Sequence, residues 1–298
     1  MRARRGHLCL LLALALACSS TARGRNFEEE QRHQVGLTVI DSTAKYGFHL
    51  FNPTPPELMR ALSTDRPDKT ESPFTVDAGH FQIEADLANF TYDASRGTTV
   101  QSWSFANTNL KVGLLNNVDF QLIIPTINHL RESDSRGRTM ATTGFGDIVT
   151  RVKINLWGND GGRTAFGLLP FVKFPTATGA LGNGAVEGGL ILPLAVQLPA
   201  EWQLGLMTEV DLNRSGRRYH AEFINSITVS HGIVGELAGY AEFFSSIRAE
   251  KGSAWVGIVG LGLTYGLTDD IQLDGGVNVG VTRAADDINP FIGLSCRF

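Results

Sequence analysis

The sequence predicts an all-β protein, a transmembrane antiparallel β-barrel of about 12 strands preceded by an extended N-terminal periplasmic arm. Three observations carry this: an export leader, apolar residues that alternate with polar ones at period two, and connections that alternate between short and long.

Residues 1–22 read as a signal peptide, because Arg2, Arg4 and Arg5 precede an apolar run from Leu8 to Ala17 that small residues follow. Cleavage after Ala22 would use Ser20 and Ala22, cleavage after Ala17 would use Ala15 and Ala17, and acylation at Cys18 is a third reading. The run falls short of the ~20 residues that a spanning helix needs, and no later stretch reaches that length. Without the leader, 23 basic residues face 30 acidic ones for a net charge of −7, which argues against a nucleic-acid partner.

Residues 23–78 are polar and carry Pro53, Pro55, Pro56, Pro67 and Pro73, so they read as the extended arm, with a short helix near Glu57 to Leu62. Whether the arm enters the pore is left open by its composition.

From residue 79 the pattern changes. Leu204, Leu206, Thr208, Val210 and Leu212 interleave with Gln203, Gly205, Met207, Glu209 and Asp211, and Phe81, Ile83 and Ala85 with Gln82, Glu84 and Asp86. A period of two defines a strand with one apolar and one polar face. Such segments fall near 79–91, 101–114, 118–127, 146–157, 163–174, 185–198, 203–213, 220–230, 236–246, 254–266, 270–282 and 290–298, twelve in all and forming a barrel over 79–298. Many reach the ~9–11 residues that a tilted strand needs to cross a bilayer. Short turns at 115–117, 158–162, 199–202, 231–235 and 267–270 alternate with longer polar links that include 129–145, 175–184 and 214–219. Outer-membrane barrels keep their short turns in the periplasm, which places both chain ends there. Trp157, Trp202 and Tyr265 then mark the inner interface, and Trp103, Tyr219 and Trp255 the outer one. A soluble sandwich would also alternate, but it needs a second sheet to cover its apolar face, whereas lipid covers that of a closed barrel.

Two stretches carry a family resemblance. The first is Thr64-Asp65-Arg66-Pro67-Asp68-Lys69-Thr70-Glu71-Ser72-Pro73 followed by Gly79-His80-Phe81-Gln82-Ile83-Glu84. The second runs from Leu261-Gly262-Leu263-Thr264-Tyr265-Gly266 through Gln272-Leu273-Asp274-Gly275-Gly276 to Asp286-Asp287-Ile288-Asn289-Pro290-Phe291. Over residues 64–298 the chain resembles the family named for a putative MetA pathway of phenol degradation. The resemblance implies an outer-membrane barrel with a transport role and no catalytic residue to carry over; the name is a weak guide to the solute.

With the apolar face toward lipid, the polar face lines the lumen. An acidic wall would comprise Glu84, Asp86, Glu209, Asp211, Glu222, Glu236 and Glu242, and a basic wall Lys111, Arg151, Lys153 and Lys173. Asp119, Asp147, Glu187, Asp274 and Arg297 are further inward charges. The walls suit either a polarised pore or a packed interior of ion pairs, since unpaired charge in a narrow lumen is costly. Twelve strands lie between filled eight-stranded barrels and open sixteen-stranded porins, so a narrow or plugged channel is expected. Nothing suggests a cofactor or a metal: His80, His129, His220 and His231 lack ligand spacing. No nucleophile elbow occurs, and Ser226 or Ser230 with His220 or His231 is the nearest approach to a hydrolase.

The expected function is therefore passive uptake of small organic solutes, aromatic ones included, by a non-enzymatic channel in the bacterial outer membrane. A structural or adhesive barrel with a blocked lumen is the alternative, and an outer-membrane hydrolase the third reading. The expected partners are outer-membrane lipid, the solute, and the barrel assembly machinery, which would recognise the terminal Phe298.

Overall fold

The structure, a computed structural model, describes residues 42–95 and 97–298. The leader and residues 23–41 of the arm lie outside the described residues. One antiparallel sheet contains every strand: β1 (Phe81–Ser95), β2 (Thr98–Phe105), β3 (Thr108–Leu115), β4 (Val118–Ile124), β5 (Ile127–Ser133), β6 (Thr139–Gly144), β7 (Ile148–Trp157) and β8 (Thr164–Phe174) lead into β9 (Glu187–Gln197), β10 (Gln203–Ser215), β11 (Arg218–Val234), β12 (Leu237–Arg248), β13 (Val256–Thr268), β14 (Ile271–Gly280) and β15 (Ile288–Arg297). Three of the twelve walls are interrupted, so that β2 with β3, β4 with β5 and β6 with β7 each count as one. The last strand closes on the first, from Gln82 opposite Arg297 to Tyr92 opposite Ile288. Closure removes the sheet edges that hydrocarbon could not satisfy.

Side-chain burial is inverted relative to a water-soluble protein. Leu212 is 55% exposed, Leu261 54% and Ile292 48%, all outward, whereas Lys153 is 1% exposed and Gln121 0%. Water-soluble folds almost never bury lysine in preference to leucine, and lipid is the solvent that rewards this distribution. Trp157, Trp202 and Tyr265 stand exposed near the short-turn rim, and Trp103, Tyr219 and Trp255 toward the other rim. Trp202 stacks on His231 with ring centroids 4.6 Å apart.

Two expected long links are mostly strand. Within 129–145 only 134–138 connects β5 to β6, and β10 and β11 meet in a two-residue turn at 216–217. Their polar residues carry the strands beyond the apolar belt, where paired backbone is as good a solution as solvated loop. The short helix expected near Glu57 is a single 3-10 turn, Pro56–Leu58.

A crease crosses the first four walls. The register of β1 shifts between Asp86 and Ala88, Ala106 takes a φ of 55° between β2 and β3, Pro125 separates β4 from β5, and residues 145–147 separate β6 from β7. Bulges and prolines sit where a ladder is interrupted, and aligned interruptions bend neighbouring strands together. Beyond the crease, β1, β2, β5 and β6 form a flap whose outermost strand, β6, pairs only with β5.

Candidate functional site

The lumen is where the sequence left the most open, and a segment of the chain occupies it. Residues 60–77, here called the strap, run inside the barrel and pair with inward side chains of β1, β3, β7, β12 and β14. Prolines and Thr/Ser residues keep the strap extended, so its backbone groups must find partners outside any helix or ladder. They do so on wall side chains: Asp65 N–H donates to Glu84 at 3.1 Å, Val76 N–H to Asp119 at 3.0 Å, and Lys69 and Thr70 N–H both to Glu242. Two wall glycines make room for it. A Cβ on Gly113 would stand 2.0 Å from the carbonyl oxygen of Asp77, and one on Gly293 2.1 Å from the Arg66 guanidinium.

Ion pairs clamp the strap to one side. Asp65 takes Lys111 at 2.5 Å through one oxygen and Lys153 at 2.5 Å through the other. Burial alone would raise the Asp65 carboxyl, but Lys111 and then Lys153 hold it far below the usual carboxylate range. Arg66 bridges Asp86 at 2.5 Å and Asp274 at 2.9 Å, and Glu71 pairs with Arg151. At the short-turn rim a second cluster fixes the point where the arm enters. Lys45 meets Asp160 at 2.7 Å and Asp77 at 3.1 Å, while Arg60 meets Asp160 at 2.8 Å and Asn116 at 2.9 Å. Arg297 ties Asp270 of the next turn at 2.7 Å and donates to the carbonyl of Arg60.

The residues of the expected walls separate into two groups. Lys111, Arg151, Lys153 and Lys173 are all neutralised, the last by Asp147 at 3.3 Å and Glu187 at 2.5 Å. Glu84 pairs with Lys111, Asp86 with Arg66, and Glu242 accepts from the Thr70 hydroxyl at 2.6 Å. Glu222 lies 3.8 Å from Arg248. Glu209, Asp211 and Glu236 have no ion-pair partner among the described residues. Glu209 and Asp211 share one face of β10 with Met207, close to an inward apolar cluster of Leu169, Phe171, Ile191, Ile224 and Phe244. Phe298 is half-buried and exchanges both backbone hydrogen bonds with Phe81, at 2.8 and 3.2 Å.

The serines and histidines considered for hydrolysis do not meet. Ser226 is bonded to the Thr70 hydroxyl at 2.7 Å, and Ser230 opposes Gln203 on the inward face. His231 is turned to Trp202 and the carbonyl of Ala200, and His220 sits six residues from Ser226 along β11, about 20 Å at strand rise. Among the described residues no three His, Cys, Asp or Glu side chains are grouped to hold a metal.

No local pattern in the sequence places Asp65, Arg66, Asp68, Thr70 and Glu71 in the lumen. The available signal was the density of charge in a proline-rich stretch facing an excess of inward bases on neighbouring walls. What the strap leaves free is a chamber of about 470 Å³, bounded by the strap on one side and by β9 to β14 on the other, and reaching the turns at 158–162 and 199–202.

No curated protein matches the chain. Among solved structures it is similar to an outer membrane channel from Pseudomonas putida F1, at 12% identity and a TM-score of 0.59, over 79% of this chain and 100% of that one. The NanC porin aligns at 11% identity and a TM-score of 0.49, over 72% of this chain and 98% of that one. The fold is thus that of bacterial outer-membrane barrels. Residues 64–298, which span both the strap and the whole barrel, match one family model, and the chain belongs to the family described as "Putative MetA-pathway of phenol degradation".

Proposed function

We propose that the protein is an outer-membrane channel for passive uptake of small organic solutes, in which the path runs between the strap and the wall formed by β9 to β13. Both chain ends would face the periplasm, with the short turns. The observation that carries this reading is the one-sided distribution of the strap's ion pairs. They go to β1, β3, β7, β14 and β15 and to the rim turns, whereas its contacts with β10 to β12 are hydrogen bonds, to Met207, Ser226 and Glu242, beside a chamber of about 470 Å³. A barrel blocked for structural purposes has no need of such a space, because small barrels fill their interiors with side chains. Glu209 and Asp211, without cationic partners on that side, would bias the path toward cations.

Planar-bilayer recording of the full chain tests the proposal. It should show a small, steady conductance, cation-preferring and rising when Asp65 and Arg66 are both replaced by Ala to release the strap. No current from the wild type, with no solute flux into vesicles, would favour the blocked structural barrel instead.

A further inference from the structure

Three neighbouring strands present their inward residues in the same order from the short turns outward. On β12 Tyr240 lines the chamber, Glu242 accepts from the strap N–H groups of Lys69 and Thr70, and Phe244 lies beyond. On β11 Thr228 lines the chamber, Ser226 bonds the Thr70 hydroxyl, and Ile224 lies beyond. On β10 Gly205 lines the chamber, Met207 accepts from the Glu71 N–H, and Glu209 and Asp211 lie beyond. Alternate residues of a strand share a face, so the strap crosses the lumen as a partition, with the chamber on its short-turn side and an outer vestibule on the other.

Lys69 belongs to the outer side. Asp68 and Thr70 line the chamber but Lys69 does not; it is exposed, with its Nζ 5.5 Å from the centroid of the Phe244 ring. The strap's two other bases, Arg60 and Arg66, are neutralised, whereas Lys69 has no ion-pair partner among the described residues. Its charge reaches Asp286 in the link between β14 and β15, whose carboxyl is pushed up by burial and then by Asp93 against the pull of Lys69, but no ion pair joins the two. The Lys69 backbone is pinned by Glu242, so its ammonium stays in the vestibule that Glu209 and Asp211 share without cationic partners.

We infer that Lys69 is a specificity-determining residue that fits the path to zwitterionic solutes, molecules that carry a carboxylate and an ammonium on a small apolar frame. The inference rests on the channel reading and adds the class of solute. A simple anion in the vestibule meets Glu209 and Asp211, and a bulky organic cation meets Lys69. A zwitterion finds opposite charge for both of its ends, beside an apolar floor of Phe171, Ile224 and Phe244. Small cations keep their advantage over small anions, because Glu209 and Asp211 together outnumber Lys69.

The test uses the full chain in proteoliposomes and two probes with the same trimethylammonium head: glycine betaine, which carries a carboxylate, and choline, which carries a hydroxyl in its place. Betaine should enter faster than choline. Lys69→Gln keeps the N–H that Glu242 holds, and in it the ratio of betaine to choline influx should fall about three-fold, the worth of one solvent-exposed ion pair. That ratio does not depend on how much protein inserts. Lys69→Arg should keep the wild-type ratio and Lys69→Glu should push it lower still, readings that a merely structural side chain would not give. Choline entering as fast as betaine, or an unchanged ratio in a conducting Lys69→Gln, would overturn the role of Lys69 while leaving the channel standing. Influx of both probes at the level of protein-free vesicles, with no ion current, would overturn the channel reading with it.

Discussion

Asp65 shows how much a single strap residue decides. Lys153 is 1% exposed and Asp65 is its ion-pair partner, so Asp65→Ala strands a buried ammonium, while Lys111 retains Glu84. Breaking a buried pair in this way costs about 3–5 kcal/mol, and urea unfolding in micelles should show a loss of that order. Asp134→Ala is the contrast: its partner Arg138 is 75% exposed, and the unfolding midpoint should not move. Equal shifts for the two variants would mean that the lumen pairs are screened like surface ones. Glu209→Gln with Asp211→Asn should lower cation preference, and an unchanged reversal potential in a conducting variant would remove these acids from the path.

At the scale of elements, the cluster of Lys45, Arg60, Asp77 and Asp160 at the short-turn rim acts as a latch on the arm that is pH-sensitive in one direction. Burial would raise Asp160, but hydrogen bonds from Lys45, Asn116 and Arg60 hold it below the ordinary carboxylate value. Its folded value is depressed, so its contribution is present above the ordinary range near ~4 and is lost as pH falls through the lower folded value. Limited proteolysis of the arm should therefore be slow at pH 7 and faster in acid, and Asp160→Asn should weaken this dependence. Equal cleavage at both pH values would show that the latch rests on other contacts. The strands were legible because each barrel residue has only two faces: the alternation at Gln203 to Asp211 reads directly as β10, and Met207 falls on the inward side as its position in the pattern requires. The strap was not legible, because its order comes from partners up to 237 residues away, such as Arg297 for Arg60, and no local period records them. The acidic and basic walls were visible as inward charges, but which of them remain unpaired depends on the strap and so was hidden with it.

The molecule as a whole is a closed sheet whose first and last strands are joined by backbone from Gln82 and Arg297 to Tyr92 and Ile288. Such closure should survive mild detergent, so unheated protein should migrate differently from boiled protein on a gel; identical migration, with recovery in the soluble periplasmic fraction, would sink the membrane reading. The crease divides this sheet in a way that thermal motion will report. Below it every strand is bonded on both sides, whereas beyond it β6 has one bonded neighbour and little apolar burial, with Met140 74% exposed. Backbone amides should accordingly exchange with deuterium in two classes, the flap opening as one cooperative unit long before the belt does. The mouth of the barrel would then breathe on one side only, and molecules arriving from outside would meet a rim that is stiff along β9 to β14 and compliant along β2, β5 and β6.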